Sequence, residues 1–430
     1  MNHSRRHLAA LLALCALAPL GGWACAEEVQ LAALPRPQLA PPAMLRVNGR
    51  RLVDGYGTEH RLHGIAFTNE VYTGTRVPEL HHAEADYARL GELGFDCVRF
   101  YLSYLTFEED THPGRYSEAG FAWLDRNVEW ARAHGVRLVL NLHVPPGGFQ
   151  ELGRGSALWH DSQQAARFVA LWQTIAARYT LEPTIAGYSL LHAPAPTKSR
   201  QQWAELAQRT VNAIREVDPF HIVFVERVAR VGQSEAEDAE LNFVRVNDEN
   251  VVYEFPFYEP LAFTQQGAPW DARFPAGVSW PSGDAPPTAD GATAATGSTA
   301  ATGSTSATGS TSAADALIAR LQRFEDWGEL HGVPIQLAEF GLTATALAQD
   351  EPGALGWLRH VLAFTRDRHI GYSFHAYHEA YFGLYRAAGL PRAGREVPAL
   401  YQLFVEESDE TRDEELAKEL ASQQASQRAE

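Results

Sequence analysis

The chain has 430 residues, 45% hydrophobic and 10% aromatic, enough for a substantial core in one large (β/α)8 barrel with insertions or in two ordinary domains. Its formal net charge of −17 makes nucleic acid and anionic membrane surfaces poor partners and favours a neutral or basic ligand.

The first 26 residues read as an export signal. Arg5-Arg6 supplies a basic start, Leu8 to Leu20 an apolar run too short to span a bilayer comfortably, and Ala24-Cys25-Ala26 a small-residue cleavage site. Ser4-Arg5-Arg6 is compatible with twin-arginine export as well as the general route. A lipid-anchored Cys25 is disfavoured by Gly22, where such a signal wants Leu. A secreted or periplasmic location is expected. Cleavage after Ala26 leaves Cys97 alone, so no intrachain disulfide is expected and the fold must rest on its core. No other stretch has the length to cross a membrane.

Residues 27–44, with a Pro-rich run from Leu34 to Ala43, read as a linker. From 45 to 405 strand-like and helix-like segments alternate. The strand candidates are Leu62–Phe67, Cys97–Leu102, Leu138–Val144, Ile185–Leu191, Ile222–Glu226, Val251–Tyr258, Ile335–Phe340 and Gly371–Tyr377. Between them lie amphipathic helices, among them Phe121–His134, Gln163–Tyr179, Gln202–Val217 and Leu317–Leu330, several ending at Gly or Asp-Pro. Eight strand–helix units in series predict an α/β fold closed as a (β/α)8 TIM barrel. An open doubly wound sheet is the competing topology, and no Gly-rich phosphate loop supports it. Trp123, Trp130, Trp172 and Trp203 fall in helix patterns and are expected in the core.

Residues 284–314 break the rhythm. Ala289 to Ala314 contains Ala-Thr-Gly-Ser-Thr-Ala/Ser three times, without one large apolar side chain, so it cannot bury anything. It reads as a floppy insertion after the sixth strand; an adhesive or glycosylated role is the minority reading. The acidic tail 406–430, with nine acids and three bases, reads as a solvated helix or disordered end.

Working residues of such barrels lie at the C-terminal ends of strands. Those ends carry Arg99, then His143 before Pro145-Pro146-Gly147-Gly148, then Leu191-His192-Ala193-Pro194, then Tyr253 to Tyr258, Leu337 to Gly341, and His375-Ala376-Tyr377-His378-Glu379. One Arg, a Glu, His side chains and several aromatics converge on one mouth. With Asp125-Arg126-Asn127, Ala157-Leu158-Trp159, Pro196-Thr197-Lys198-Ser199 and Phe382-Gly383-Leu384-Tyr385, the chain resembles glycoside hydrolase family 5, the retaining cellulase- and mannanase-like barrels, from about Leu45 to about Phe404.

The resemblance implies double displacement with two glutamates, one attacking the anomeric carbon and one protonating the leaving oxygen. Glu339 matches the nucleophile, Arg99 the arginine paired with it, His143 the third-strand histidine, and Tyr258 the tyrosine of a His-x-Tyr motif. The acid/base position is Ala193, preceded by His192 instead of Asn, and the motif histidine is Pro256. The family's eighth-strand tryptophan is not obvious; His375 and Tyr377 occupy that region. A methyl group cannot deliver a proton, so hydrolysis is expected to be weak or absent while a β-linked glucan or mannan-type oligosaccharide is still bound. The bland readings stay open: Glu339 as a buried partner for Arg99, His143 as a satisfied supporting histidine, His192 as filler of a collapsed pocket.

A working glycosidase would need a relocated acid, for which Glu70, Glu226, Glu254, Glu259 and Glu379 are candidates. Tyr104, Trp159, Trp270 and Trp280, in or near loops after strands, are candidates for stacking on sugar faces. His81-His82 and His375/His378 look like metal ligands, but no Cys or carboxylate stands at metal spacing beside the first pair; neither a metal nor a cofactor is expected. A matrix or adhesion protein acting through the repeat and the acidic tail is a third possibility.

Overall fold

A computed structural model describes residues 40–151, 154–232, 234, 237–280, 312–386, 395–409 and 411. The export signal, most of the linker, the bulk of the Thr/Gly/Ser insertion and nearly all of the acidic tail lie outside the described residues.

Eight parallel strands close into one barrel: His63–Phe67, Cys97–Ser103, Arg137–Val144, Ile185–Ser189, Ile222–Glu226, Val251–Phe257, Ile335–Phe340 and Gly371–Phe374. They neighbour one another in chain order and the eighth pairs with the first. All eight predicted strands are present. The fourth and eighth end earlier than expected, at Ser189 and Phe374.

The helices follow local chemistry. Ser117 caps Glu118–Ala133 by accepting from Gly120 N, Asp161 caps Ser162–Tyr179 by accepting from Gln163 N, and Gly332, at φ +64°, ends Ala313–His331 in the left-handed conformation. The last of these begins one residue before the expected end of the insertion. Trp172 and Trp203 are fully buried between helices and barrel, Trp123 nearly so, and Trp130 packs at the edge of the same core.

The expected elements omitted a small antiparallel sheet of Arg46–Asn48, Arg51–Val53 and Glu59–His60. Its flanking apolar residues Leu45, Leu52 and Leu62 pack on Cys97, Val139, Ile222 and Phe224, closing the N-terminal end of the barrel. Cys97 is a free, buried thiol. Among the described residues, no helix is long and apolar enough to cross a membrane.

Alternation along the strands sends Arg99, Asn141, Ser189, Glu226 and Glu254 into the barrel, and all five are fully buried. This polar interior carries the floor of the site.

Candidate active site

Glu339 stands near the end of the seventh strand with its side chain 6% exposed. The Tyr101 hydroxyl donates to Oε2 at 2.8 Å and the Tyr258 hydroxyl to Oε1 at 2.6 Å. The His192 ring places Nδ1 3.5 Å from Oε2, and His375 places Nδ1 3.9 Å from Oε1. Burial alone would push this carboxyl up. The rings of His192 and His375, the Tyr258 hydroxyl and Arg99 outweigh it and bring its pKa down to about 2. Glu339 is therefore an anion at neutral pH.

Arg99 does not make the direct contact expected of it. Its guanidinium, fully buried below the mouth, donates to Glu254 Oε1 at 2.5 Å and Glu226 Oε2 at 2.9 Å. Ser189 Oγ donates to the other Glu254 oxygen at 2.6 Å, and Asn141 Nδ2 donates to Ser189 Oγ at 3.0 Å. Arg99 acts on Glu339 only through space, and its full burial removes it from contact with a ligand. The reason is parity: two inward-facing glutamates sit closer to it than the strand end does.

Ala193 occupies the left-handed region at φ +46°, and its N–H donates to Glu226 Oε1 at 2.8 Å. Its side chain offers only a methyl group. His192 turns its ring into the mouth instead. Nε2 lies 2.8 Å from Glu151 Oε1, and Nδ1 lies 3.5 Å from both Glu226 Oε2 and Glu339 Oε2. Burial would lower the His192 pKa; Glu339 and Glu226, with the Glu151 hydrogen bond, reverse that and hold it well above the ordinary value, so the ring is an imidazolium. Its ring lies parallel to that of His143, with centroids 3.9 Å apart. His143 is the opposite case. Burial and then the neighbouring His192 push its pKa far down, so it is neutral, with Nδ1 3.2 Å from Asn141 Oδ1 and Nε2 3.0 Å from the Tyr72 hydroxyl. Pro256 is in register with Glu339 and has neither a ring nitrogen nor an N–H to contribute.

Other expected residues lie elsewhere. Tyr377 is buried behind the mouth, where its hydroxyl donates to Asp86 Oδ1 at 3.0 Å. Trp159 sits in the short helix Ala157–His160, bonded to Gln150 Oε1 and edge-on to Trp203. Trp280 is buried against Phe263, and the buried Tyr104 donates to Asp110. Trp270 alone of the four is open, 41% exposed, stacked on Phe382 and edge-on to Tyr381. Phe382 in turn reaches His375 and Tyr258, so this aromatic patch adjoins the Glu339 site.

Four of the five candidate replacement acids are engaged. Glu226 and Glu254 are locked on Arg99. Glu70 lies 3.8 Å from His81, Glu259 pairs with Arg320, and Glu379 accepts from the backbone N–H groups of Tyr381 and Phe382. Three site residues escaped the sequence reading. Tyr101 shares inward parity with Arg99 two residues before it, a signal that was available. Tyr72 and Glu151 come from loops, where sequence carries no register.

A model of the family described as cellulase (glycosyl hydrolase family 5) matches residues 53–381. Endoglucanase C of Acetivibrio thermocellus is 35% identical over 189 residues, covering 44% of this chain and 53% of that protein. Cellodextrinase A of Ruminococcus flavefaciens is 30% identical over 188 residues, covering 44% and 54%. The chain thus spans about half the length of these relatives. Among solved structures, Thermotoga maritima Cel5A in complex with cellobiose superposes with a TM-score of 0.62 at 20% identity, over 80% of this chain and 97% of that one. The cellulose synthase subunit Z of Clostridioides difficile gives 0.61 at 21% identity, over 80% and 99%. These structures are similar in fold.

Proposed function

Because this chain belongs to glycosyl hydrolase family 5, we propose that it is an exported barrel that binds a β-linked glucan or mannan-type oligosaccharide and hydrolyses it weakly or not at all. The carrying observation is Ala193. Its methyl group stands at the strand end from which the leaving oxygen would collect a proton, and its N–H is tied to Glu226. General acid catalysis contributes ~10²–10⁴-fold, and an alkoxide leaving group depends on it heavily. The second half-reaction loses its base at the same position.

Binding is supported separately. Trp270, Tyr381 and Tyr72 expose aromatic surface beside the site, of the kind that stacks on pyranose faces. The names of the relatives, an endoglucanase and a cellodextrinase, favour a β-glucan. Glu339, anionic and held by two phenols, keeps the arrangement of a nucleophile.

An aryl β-glycoside assay with added azide tests this. A good leaving group needs little proton assistance, so Glu339 attacks, and azide captures the glycosyl-enzyme without a base. We expect azide to raise turnover and a glycosyl azide to accumulate. Turnover of an unactivated β-glycan as fast as that of the aryl glycoside, lost in Glu339→Ala, would refute the proposal.

One observation favours the second reading, a working retaining glycosidase with a relocated acid. Glu151, 40% exposed at the rim, is bonded to His192 Nε2. On that reading Glu151→Gln abolishes cleavage of unactivated glycans and spares aryl glycosides.

A further inference from the structure

The geometry points to a divalent transition-metal site at the barrel mouth, with His143, His192 and Glu151 as ligands. One ligand atom from each lies within 4.8 Å of the other two. The donor set is two imidazoles and one carboxylate, which suits Zn²⁺, Ni²⁺ or Co²⁺ and disfavours Mg²⁺ and Ca²⁺.

The supporting hydrogen bonds aim both rings the same way. Asn141 Nδ2 donates to Ser189 Oγ, so its Oδ1 faces His143 and accepts from Nδ1–H. That leaves the His143 Nε2 lone pair on the mouth side, beside the Tyr72 hydroxyl. His192 directs Nδ1 between the Glu226 and Glu339 carboxylates, 3.5 Å from each and without a hydrogen-bond partner, and presents Nε2 to Glu151. A histidine backed by a carboxylate or amide oxygen and ligating through its far nitrogen is the usual outer-shell pattern of a metal site. Four carboxylates, Glu151, Glu226, Glu254 and Glu339, share one guanidinium and the His192 imidazolium here, which leaves the cluster net negative and favours an added cation. Coordination requires the ion to displace the His192 Nε2 proton to solvent and the two parallel rings to tilt until both Nε2 lone pairs meet it. Glu151 and Tyr72, both on the exposed rim, are the groups that give way.

The full chain, purified without a histidine tag and stripped with chelator, is titrated with Zn²⁺ by calorimetry, and with Co²⁺ by visible absorption. We expect one Zn²⁺ equivalent, unaffected by excess Mg²⁺, and Co²⁺ bands from nitrogen and oxygen ligation. Glu151→Gln, an exposed position where the fold is retained, and His192→Asn each weaken Zn²⁺ by at least about tenfold and remove the Co²⁺ bands. No Zn²⁺ binding, or an affinity unchanged in Glu151→Gln and His192→Asn, would overturn it; the second result would place the ion on surface histidines.

Discussion

Tyr258 donates its hydroxyl to Glu339 Oε1 at 2.6 Å, from just beyond the end of the sixth strand to the end of the seventh. Tyr101 donates to the other oxygen, and the His192 and His375 rings, then the Tyr258 bond and Arg99 acting through space, keep this buried carboxylate ionised without a direct arginine contact. On the proposed reading the site keeps the half of the machinery that attacks, while the half that protonates is a methyl group.

Tyr258→Phe removes one donor from a charged acceptor. Hydrogen bonds to charged groups contribute about 1.5–3 kcal/mol. Urea unfolding at neutral pH should show a loss of that order, with circular dichroism of the folded state unchanged.

Arg99→Met should cost more. It strands Glu226 and Glu254 in the barrel without a counter-charge, and breaking a buried pair on one side costs about 3–5 kcal/mol. Equilibrium unfolding checks this. An effect confined to sugar binding would instead mean that Arg99 reaches the ligand.

The His81–His82–His378 cluster sets an acid sensitivity. Burial, and then its histidine neighbour, pushes His81 down to about 3; His82 and His378 are also lowered, with Glu70, Asp86 and Glu379 nearby. These rings are neutral when folded, whereas the unfolded chain protonates below about 6.5. Stability is therefore present above pH 6.5 and falls as pH drops from there toward 3. Neither His82 ring nitrogen has a hydrogen-bond partner, and the ring stacks on Phe67 at 3.7 Å. His82→Phe should raise stability at pH 7 by about 1 kcal/mol or more and flatten the decline between pH 6.5 and 4.5 by about one proton. Denaturant midpoints across that range measure both.

Ala193→Glu combined with His192→Asn and Pro256→His should restore cleavage of unactivated β-glucan, by up to ~10²–10⁴-fold over the parent. No gain in a folded triple variant would mean that the cleft itself has diverged.

The barrel was legible because its strands are apolar runs bounded by Gly and Asp-Pro, and because catalytic positions map to strand ends. The cap over the barrel bottom was missed although Asn48-Gly49 is a strong hairpin signal; its strands are too short to show alternation. Arg99 was mispaired since sequence gives the inward parity of Glu226 and Glu254 but not their depth. Loop position points Trp159 toward the cleft and the eighth-strand end points Tyr377 there, whereas their rings turn into the core. Glu151 was invisible: it follows a Pro-Gly loop whose path only the folded chain sets.

Cleavage of an unactivated β-1,4-glucan oligosaccharide by the parent chain, measured beside Glu339→Ala under identical conditions, tests the missing proton donor most directly. The expected result is at most a trace of Glu339-dependent product, alongside binding of the same oligosaccharide by calorimetry. Rapid turnover by the parent that vanishes in Glu339→Ala, and that the Ala193→Glu triple variant does not exceed, would contradict it, because some other group would then be protonating the leaving oxygen.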